Sequence, residues 1–107
     1  MRIIARKTLR TFVESLEGGK DQAAVKSALD SWFHEVQVAD WRTPAEVTAS
    51  YANASIVGHD RVVFNIKGNS YRLVAAVDYQ RRIVFIKWLG SRAACDKINV
   101  KTVKYGD

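Results

Sequence analysis

The sequence predicts an α+β domain, with helices packed on one face of an antiparallel sheet and a short helix at the C-terminal end. Three observations lead there. Apolar residues recur with helical period in the first half of the chain and with period two in the second. Glycine and turn-forming residues separate the segments. At 107 residues, 48% of them hydrophobic and only one a proline, the chain has the composition of one packed domain, residues 1–107, and not of a disordered segment.

Residues 2–5 have an apolar centre, Ile3 and Ile4, and predict a short strand. Leu9, Phe12, Val13 and Leu16 then fall at i, i+3, i+4 and i+7, one apolar face of a helix. Gly18-Gly19 stops it, because glycine accepts the left-handed conformation at a helix end. Asp21 is placed to cap a second helix, whose stripe is Val25, Ala28, Leu29, Trp32, Phe33 and Val36. Asp30, His34 and Glu35 lie off that stripe. Thr43-Pro44-Ala45-Glu46 is a helix start: the threonine oxygen accepts a backbone N–H, the glutamate reaches back, and proline fits the first turn. A short helix to about Tyr51 follows.

Period two takes over from Ser55. Residues 55–57 form a brief strand, and Gly58-His59-Asp60 a turn. Residues 61–66 and 70–78 form a hairpin around Gly68-Asn69, and residues 83–89 a further long strand that Gly90 breaks. A short helix is expected over 93–98, ahead of a basic tail with Lys101 and Lys104. The hairpin turns set an expected register. Ile66 faces Tyr71, Asn65 faces Arg72 and Phe64 faces Leu73; in the next pair Val77 faces Val84, Ala75 faces Ile86, Val74 faces Lys87 and Leu73 faces Trp88. One face is then almost wholly apolar, with Trp88 in it, and seats the helices. The other presents Arg61, Asn65, Arg72 and Lys87 with Val63, Val74 and Phe85.

The net charge is +6 and unevenly spread: +3 over residues 1–20, −3 over 21–40, −1 over 41–60, +2 over 61–80 and +5 over 81–107. A basic second half points to a polyanion, nucleic acid or an RNA–protein particle first. Cations beside an apolar floor, with no carboxylate among them, suit a phosphate chain with bases stacked on the protein. A solvated face of a one-sided sheet is the plainer alternative. The lone Cys95 excludes an internal disulfide, and with His34 and His59 it makes no metal-ligand set. A reducing, cytoplasmic setting fits. No run approaches the ~18 apolar residues of a membrane span, and charge interrupts the first residues too soon for a signal peptide.

The string Val63-Phe64-Asn65-Ile66-Lys67-Gly68-Asn69-Ser70-Tyr71-Arg72-Leu73-Val74 carries a family resemblance. So do Arg2-Ile3-Ile4-Ala5, Ala39-Asp40-Trp41-Arg42-Thr43-Pro44 and Ser55-Ile56-Val57-Gly58. Over residues 2–98 or so the chain resembles the HigB toxins of bacterial type II toxin–antitoxin modules, within the wider RelE-like group. The resemblance implies a RelE-like sheet and an mRNA interferase, an endoribonuclease that cuts translated mRNA at the ribosome. It also implies a HigA-type helix-turn-helix antitoxin, operator DNA contacted only through that antitoxin, and no metal or organic cofactor.

Such an enzyme drives a ribose 2′-OH onto the adjacent phosphate, which requires in-line geometry, cations on the non-bridging oxygens and proton transfer at both ends. Arg72, in the family string, is the first choice for binding the phosphate, since its planar fork gives two hydrogen bonds and stays charged. Arg92 and Lys87 are the other expected catalytic residues. Arg61, Asn65, Lys67, Asn69 and Lys97 complete an expected RNA-binding set. Many HigB relatives follow the last strand with Gly-Thr-His-x-x-Tyr-Asp. Here Arg92 stands for the histidine and Cys95 for the tyrosine. Neighbouring Arg92 and Lys97 would lower the Cys95 pKa, although a small, partly buried cysteine is the simpler expectation. His59 is the remaining candidate base. Two alternatives stay open: a catalytically impaired RNA- or ribosome-binding member of the same family, and a non-enzymatic basic protein-interaction module.

Overall fold

The computed structural model describes residues 1–58 and 60–103. Its elements are β1 (Arg2–Ile4), α1 (Arg6–Ser15), α2 (Gln22–Val38), α3 (Pro44–Ser50), β2 (Ser55–Val57), β3 (Arg61–Ile66), β4 (Tyr71–Asp78), β5 (Ile83–Ser91) and α4 (Arg92–Cys95). The expected α+β order holds. The sheet runs β1-β5-β4-β3-β2 and is mixed: β1 lies parallel to β5, while every other pair is antiparallel. The parallel edge was not foreseen, because strands whose paired residues, such as Arg2 and Ile83, lie so far apart in sequence share no turn that would announce their pairing.

Helices α1 and α2 cover one face. Val25, Leu29, Trp32 and Val36 of α2 are buried there, as the helical period requires. Beneath them lie Val62, Phe64, Ile66, Leu73, Ala75, Val77, Val84, Ile86 and Leu89 of the sheet. Phe64 sits in a ring of aromatics, 5.4 Å from Trp32, 5.2 Å from Tyr51 and 6.1 Å from Trp41 between centroids. The contacts with Trp32 and Tyr51 are edge-to-face and that with Trp41 is stacked, and both kinds add to the burial of apolar area. Thr43 caps α3 by accepting from the Glu46 N–H, as its sequence predicts.

Asp21 does not cap α2 with its side chain. Its carboxylate instead accepts from Lys67 Nζ at 3.0 Å and from the Tyr71 hydroxyl at 3.2 Å, tying the start of α2 to the β3–β4 hairpin. The hydrogen bond from Lys67, and then its charge, hold the Asp21 carboxyl below its ordinary pKa. The Ser70 N–H donates to the Lys67 carbonyl at 3.2 Å and closes the expected turn around Gly68-Asn69, with Lys67 and Gly68 both at left-handed φ, +51° and +61°.

Candidate functional site

The β3–β4 register is the expected one, with Asn65 opposite Arg72. The β4–β5 register agrees only near its turn, where Val77 faces Val84 and Ala75 faces Ile86. A β-bulge then intervenes between Val74 and Ala75. Lys87 is the extra residue, and beyond it Val74 faces Trp88, Leu73 faces Leu89 and Arg72 faces Gly90. One extra residue moves every later side chain of β5 to the other face. Leu89 therefore enters the core, 1% exposed, in the place expected for Trp88. Trp88 lies on the face away from the helices, and β5 continues through Gly90 to Ser91 without a break.

That face is not uniformly open. Arg61, Val63, Val74 and Ala76 are all buried. Residues after α4 cover part of it: Arg61 Nη1 donates to the Val103 carbonyl at 2.8 Å and to the Val100 carbonyl at 3.4 Å. Arg61, expected on an open RNA-binding surface, is thus only 7% exposed and engaged with the C-terminal segment. Lys67 likewise points to the helix side, in its ion pair with Asp21.

The accessible part is the other end of the same face. Arg72 Nη1 donates to Asn65 Oδ1 across the strands, which fixes the guanidinium while leaving further N–H groups for a ligand. Opposite Arg72 is Gly90, against which the Trp88 indole packs so closely that a methyl group on Gly90 would meet ring carbons at 2.5 and 2.6 Å. Asn69 is exposed at the hairpin tip. With Asn65, Gly68 and Asn53 it lines a shallow polar depression beside the arginine. Asn53, in the loop after α3, had no expected role, since its only sequence signal is an asparagine in a turn.

Arg92 begins α4 at the same end. Its backbone N–H donates to the Ser70 carbonyl, and its side chain is exposed. Ser91 caps the helix through its hydroxyl, which accepts from the Ala94 N–H at 3.1 Å. Lys97 is exposed just past α4. Lys87 is the bulged residue of β5, and its ammonium lies over the Phe85 ring, 5.3 Å from the centroid. Cys95 faces the site closely enough to feel the Arg72 charge. Burial nevertheless pushes its thiol pKa above the ordinary value, with Arg72 opposing and Asp96 reinforcing that rise. The thiol is not activated. His59 and Lys104 lie outside the described residues.

The arrangement offers a fixed, charged guanidinium, amide groups beside it, and an exposed arginine and lysine on the adjoining helical turn. These are the elements of a site for a single-stranded phosphodiester. Among the described residues no group of three or more His, Cys, Asp or Glu side chains is arranged to hold a metal ion, and no helix is long and apolar enough to cross a membrane.

A five-stranded mixed sheet with its helices on one face and a short C-terminal helix is consistent with a RelE-like domain. The chain matches, over residues 25–98, the family model of the HigB toxin, the RelE-like toxic component of a toxin–antitoxin system, and it belongs to that family. No curated protein matches it. Membership makes the chain a toxin with an antitoxin as its counterpart.

Proposed function

We propose that the toxin is an mRNA interferase that cuts mRNA on the ribosome, and that Arg72 binds the scissile phosphate. The observation that carries this reading is the Arg72–Asn65 pair, half-buried on the sheet face opposite the helices, at the end away from Arg61 and its contacts with residues 100 and 103. A guanidinium already oriented by an amide acceptor meets the developing negative charge of the phosphorane without rearranging. Asn65 acts as the positioning residue, with Arg92 and Lys97 holding the flanking phosphates. The RNA supplies its own nucleophile: the 2′-OH passes its proton to solvent water as it bonds to phosphorus, and the bond to the 5′-oxygen breaks with that oxygen taking a proton from water, which leaves a 2′,3′-cyclic phosphate and a 5′-OH. The antitoxin that neutralises it is of HigA type, and the site of action is cytoplasmic.

One observation favours a second reading, a member that binds the ribosome without cutting. Arg92 and Cys95 occupy the positions of the family's histidine and tyrosine, and neither accepts a proton near neutral pH, the arginine because it stays charged and the thiol because burial raises its pKa. Controlled induction in bacteria separates the two. The interferase reading expects growth arrest with mRNA breaks in codon register, both lost in Arg72→Ala. Ribosome co-sedimentation and arrest without breaks would establish the second reading instead. Soluble expression with neither arrest nor ribosome association would overturn both.

A further inference from the structure

One large aromatic side chain stands beside Arg72 on the sheet face opposite the helices. The chain has three tryptophans. Trp32 and Trp41 belong to the core, 2% and 3% exposed. Trp88 is half-buried and lies on the other face, paired with Val74.

Two features put it there. The bulge moves Trp88 out of the core position, which Leu89 takes, and bulges commonly re-aim a side chain next to a functional site. Gly90 then leaves the next position on that face empty, and the benzo half of the indole fills it, with Cη2 and Cζ2 nearest. Gly90 is the cross-strand partner of Arg72 on one side, as Asn65 is on the other. Neighbouring strands lie about 5 Å apart. One row across three strands therefore sets Arg72 between the amide that orients it and the edge of an indole.

That indole is otherwise unpartnered. Trp32 and Trp41 both pack against the Phe64 ring, and Trp41 Nε1 donates to Ser50. Among the described residues Trp88 has no ring partner, no cation over it and no hydrogen bond at Nε1. A partly accessible aromatic surface next to a phosphate-binding cation suits a base attached to that phosphate.

We propose that Trp88 is the stacking platform for the base beside the phosphate that Arg72 holds. The inference rests on Arg72 as the phosphate ligand and adds the group that takes the base. The contact is to the π-face, which every base has, so it holds a nucleotide without selecting its sequence. With the base stacked and the phosphate held, the sugar between them loses the freedom to swing its 2′-OH out of line.

The test uses the full chain at low salt, where phosphate contacts hold a basic protein on RNA. The probes are a hexa-adenylate, 2′-O-methylated so that it cannot be cut, and an abasic strand of the same length. Tryptophan emission reports stacking, and anisotropy of fluorescein-labelled copies reports affinity. Hexa-adenylate is expected to quench the emission saturably, and the abasic strand to leave it unchanged. Trp88→Phe, which keeps a ring, should abolish the quenching yet hold affinity within about threefold. Trp88→Leu should weaken hexa-adenylate binding by roughly 5- to 100-fold and abasic binding hardly at all, whereas a merely structural role would weaken both alike. Circular dichroism checks that each variant keeps the fold. Saturable binding without quenching, equal losses for the two strands in Trp88→Leu, or no binding of hexa-adenylate overturns the proposal. Arg72→Ala separates the two claims. It should weaken both strands alike and leave quenching at saturation in place. Binding that depends on Arg72 but never quenches refutes the platform alone. Quenching with affinity untouched by Arg72→Ala refutes Arg72 as the phosphate ligand, and the placement of the base with it.

Discussion

Gly90→Ala should be destabilising because of one contact. The strand at Gly90 is regular enough for alanine, but the added methyl carbon would stand 2.5 and 2.6 Å from two carbons of the Trp88 indole. Carbon pairs sit best at about 3.5–4.0 Å, so the ring must withdraw by roughly 1 Å. The half-buried indole lies on the strand that the bulge has rotated, with buried Val74 directly opposite, so admitting the methyl group means giving up part of its packing over Gly90. Overpacking of this kind costs about 1–3 kcal/mol. In a domain of this size that is a fall in Tm of roughly 5–15 °C. Thermal unfolding followed by circular dichroism measures it. The decisive arm is a double-mutant cycle with Trp88→Leu, whose smaller side chain removes the clashing ring. The methyl group should then cost far less, giving a coupling energy of about 1 kcal/mol or more. A Gly90→Ala penalty below about 0.5 kcal/mol, or the same penalty with and without Trp88, would refute the reasoning.

Other expectations follow from the same structure. Phe64→Ala empties the centre of the aromatic ring formed by Trp32, Trp41 and Tyr51 and should cost about 3–5 kcal/mol in urea unfolding, a large share of the ~5–15 kcal/mol that holds such a domain together. Asp21 and Asp40 have lowered pKa values, Asp21 chiefly through Lys67 and Asp40 chiefly through Arg82, so the folded state binds their protons less readily than the unfolded one. Their contribution is complete above the unfolded carboxylate value of about 3.9 and fades as pH drops through the lower folded values. Asp21→Asn and Asp40→Asn should each flatten the acid limb of a Tm-against-pH curve while leaving its slope near neutrality unchanged. Asn65→Ala removes the acceptor that orients Arg72 and should lower RNA cleavage, whereas Asn65→Asp keeps an acceptor oxygen and should retain more activity than the alanine variant.

Much of this architecture was legible because its signals are local. Helical spacing located α1 and α2, the Thr43–Glu46 box located α3, and the glycine turn set the Asn65–Arg72 register. What escaped was non-local. The bulge at Lys87 leaves no mark in an alternating apolar strand, yet it exchanged Trp88 for Leu89 in the core and removed Lys87 from the expected pairing with Val74. Arg61 looked like a surface cation because nothing near it in sequence shows that residues 100 and 103 fold back to accept its hydrogen bonds. Asp21 had the identity of a cap, but a lysine and a tyrosine on the distant hairpin hold its carboxylate instead. Cys95 is the partly buried cysteine that was the simpler expectation: burial outweighs the Arg72 charge and keeps its thiol pKa raised.

The central claim is that a toxin of this family binds the scissile phosphate through Arg72. The most direct measurement is cleavage of a 5′-labelled mRNA programmed on purified ribosomes, with naked mRNA as control. The account predicts cuts within codons only when ribosomes are present, and a loss of about 10²–10³-fold in rate for Arg72→Ala with ribosome binding retained. Undiminished cleavage by Arg72→Ala, or ribosome binding by the wild-type toxin with no cleavage at all, would contradict it.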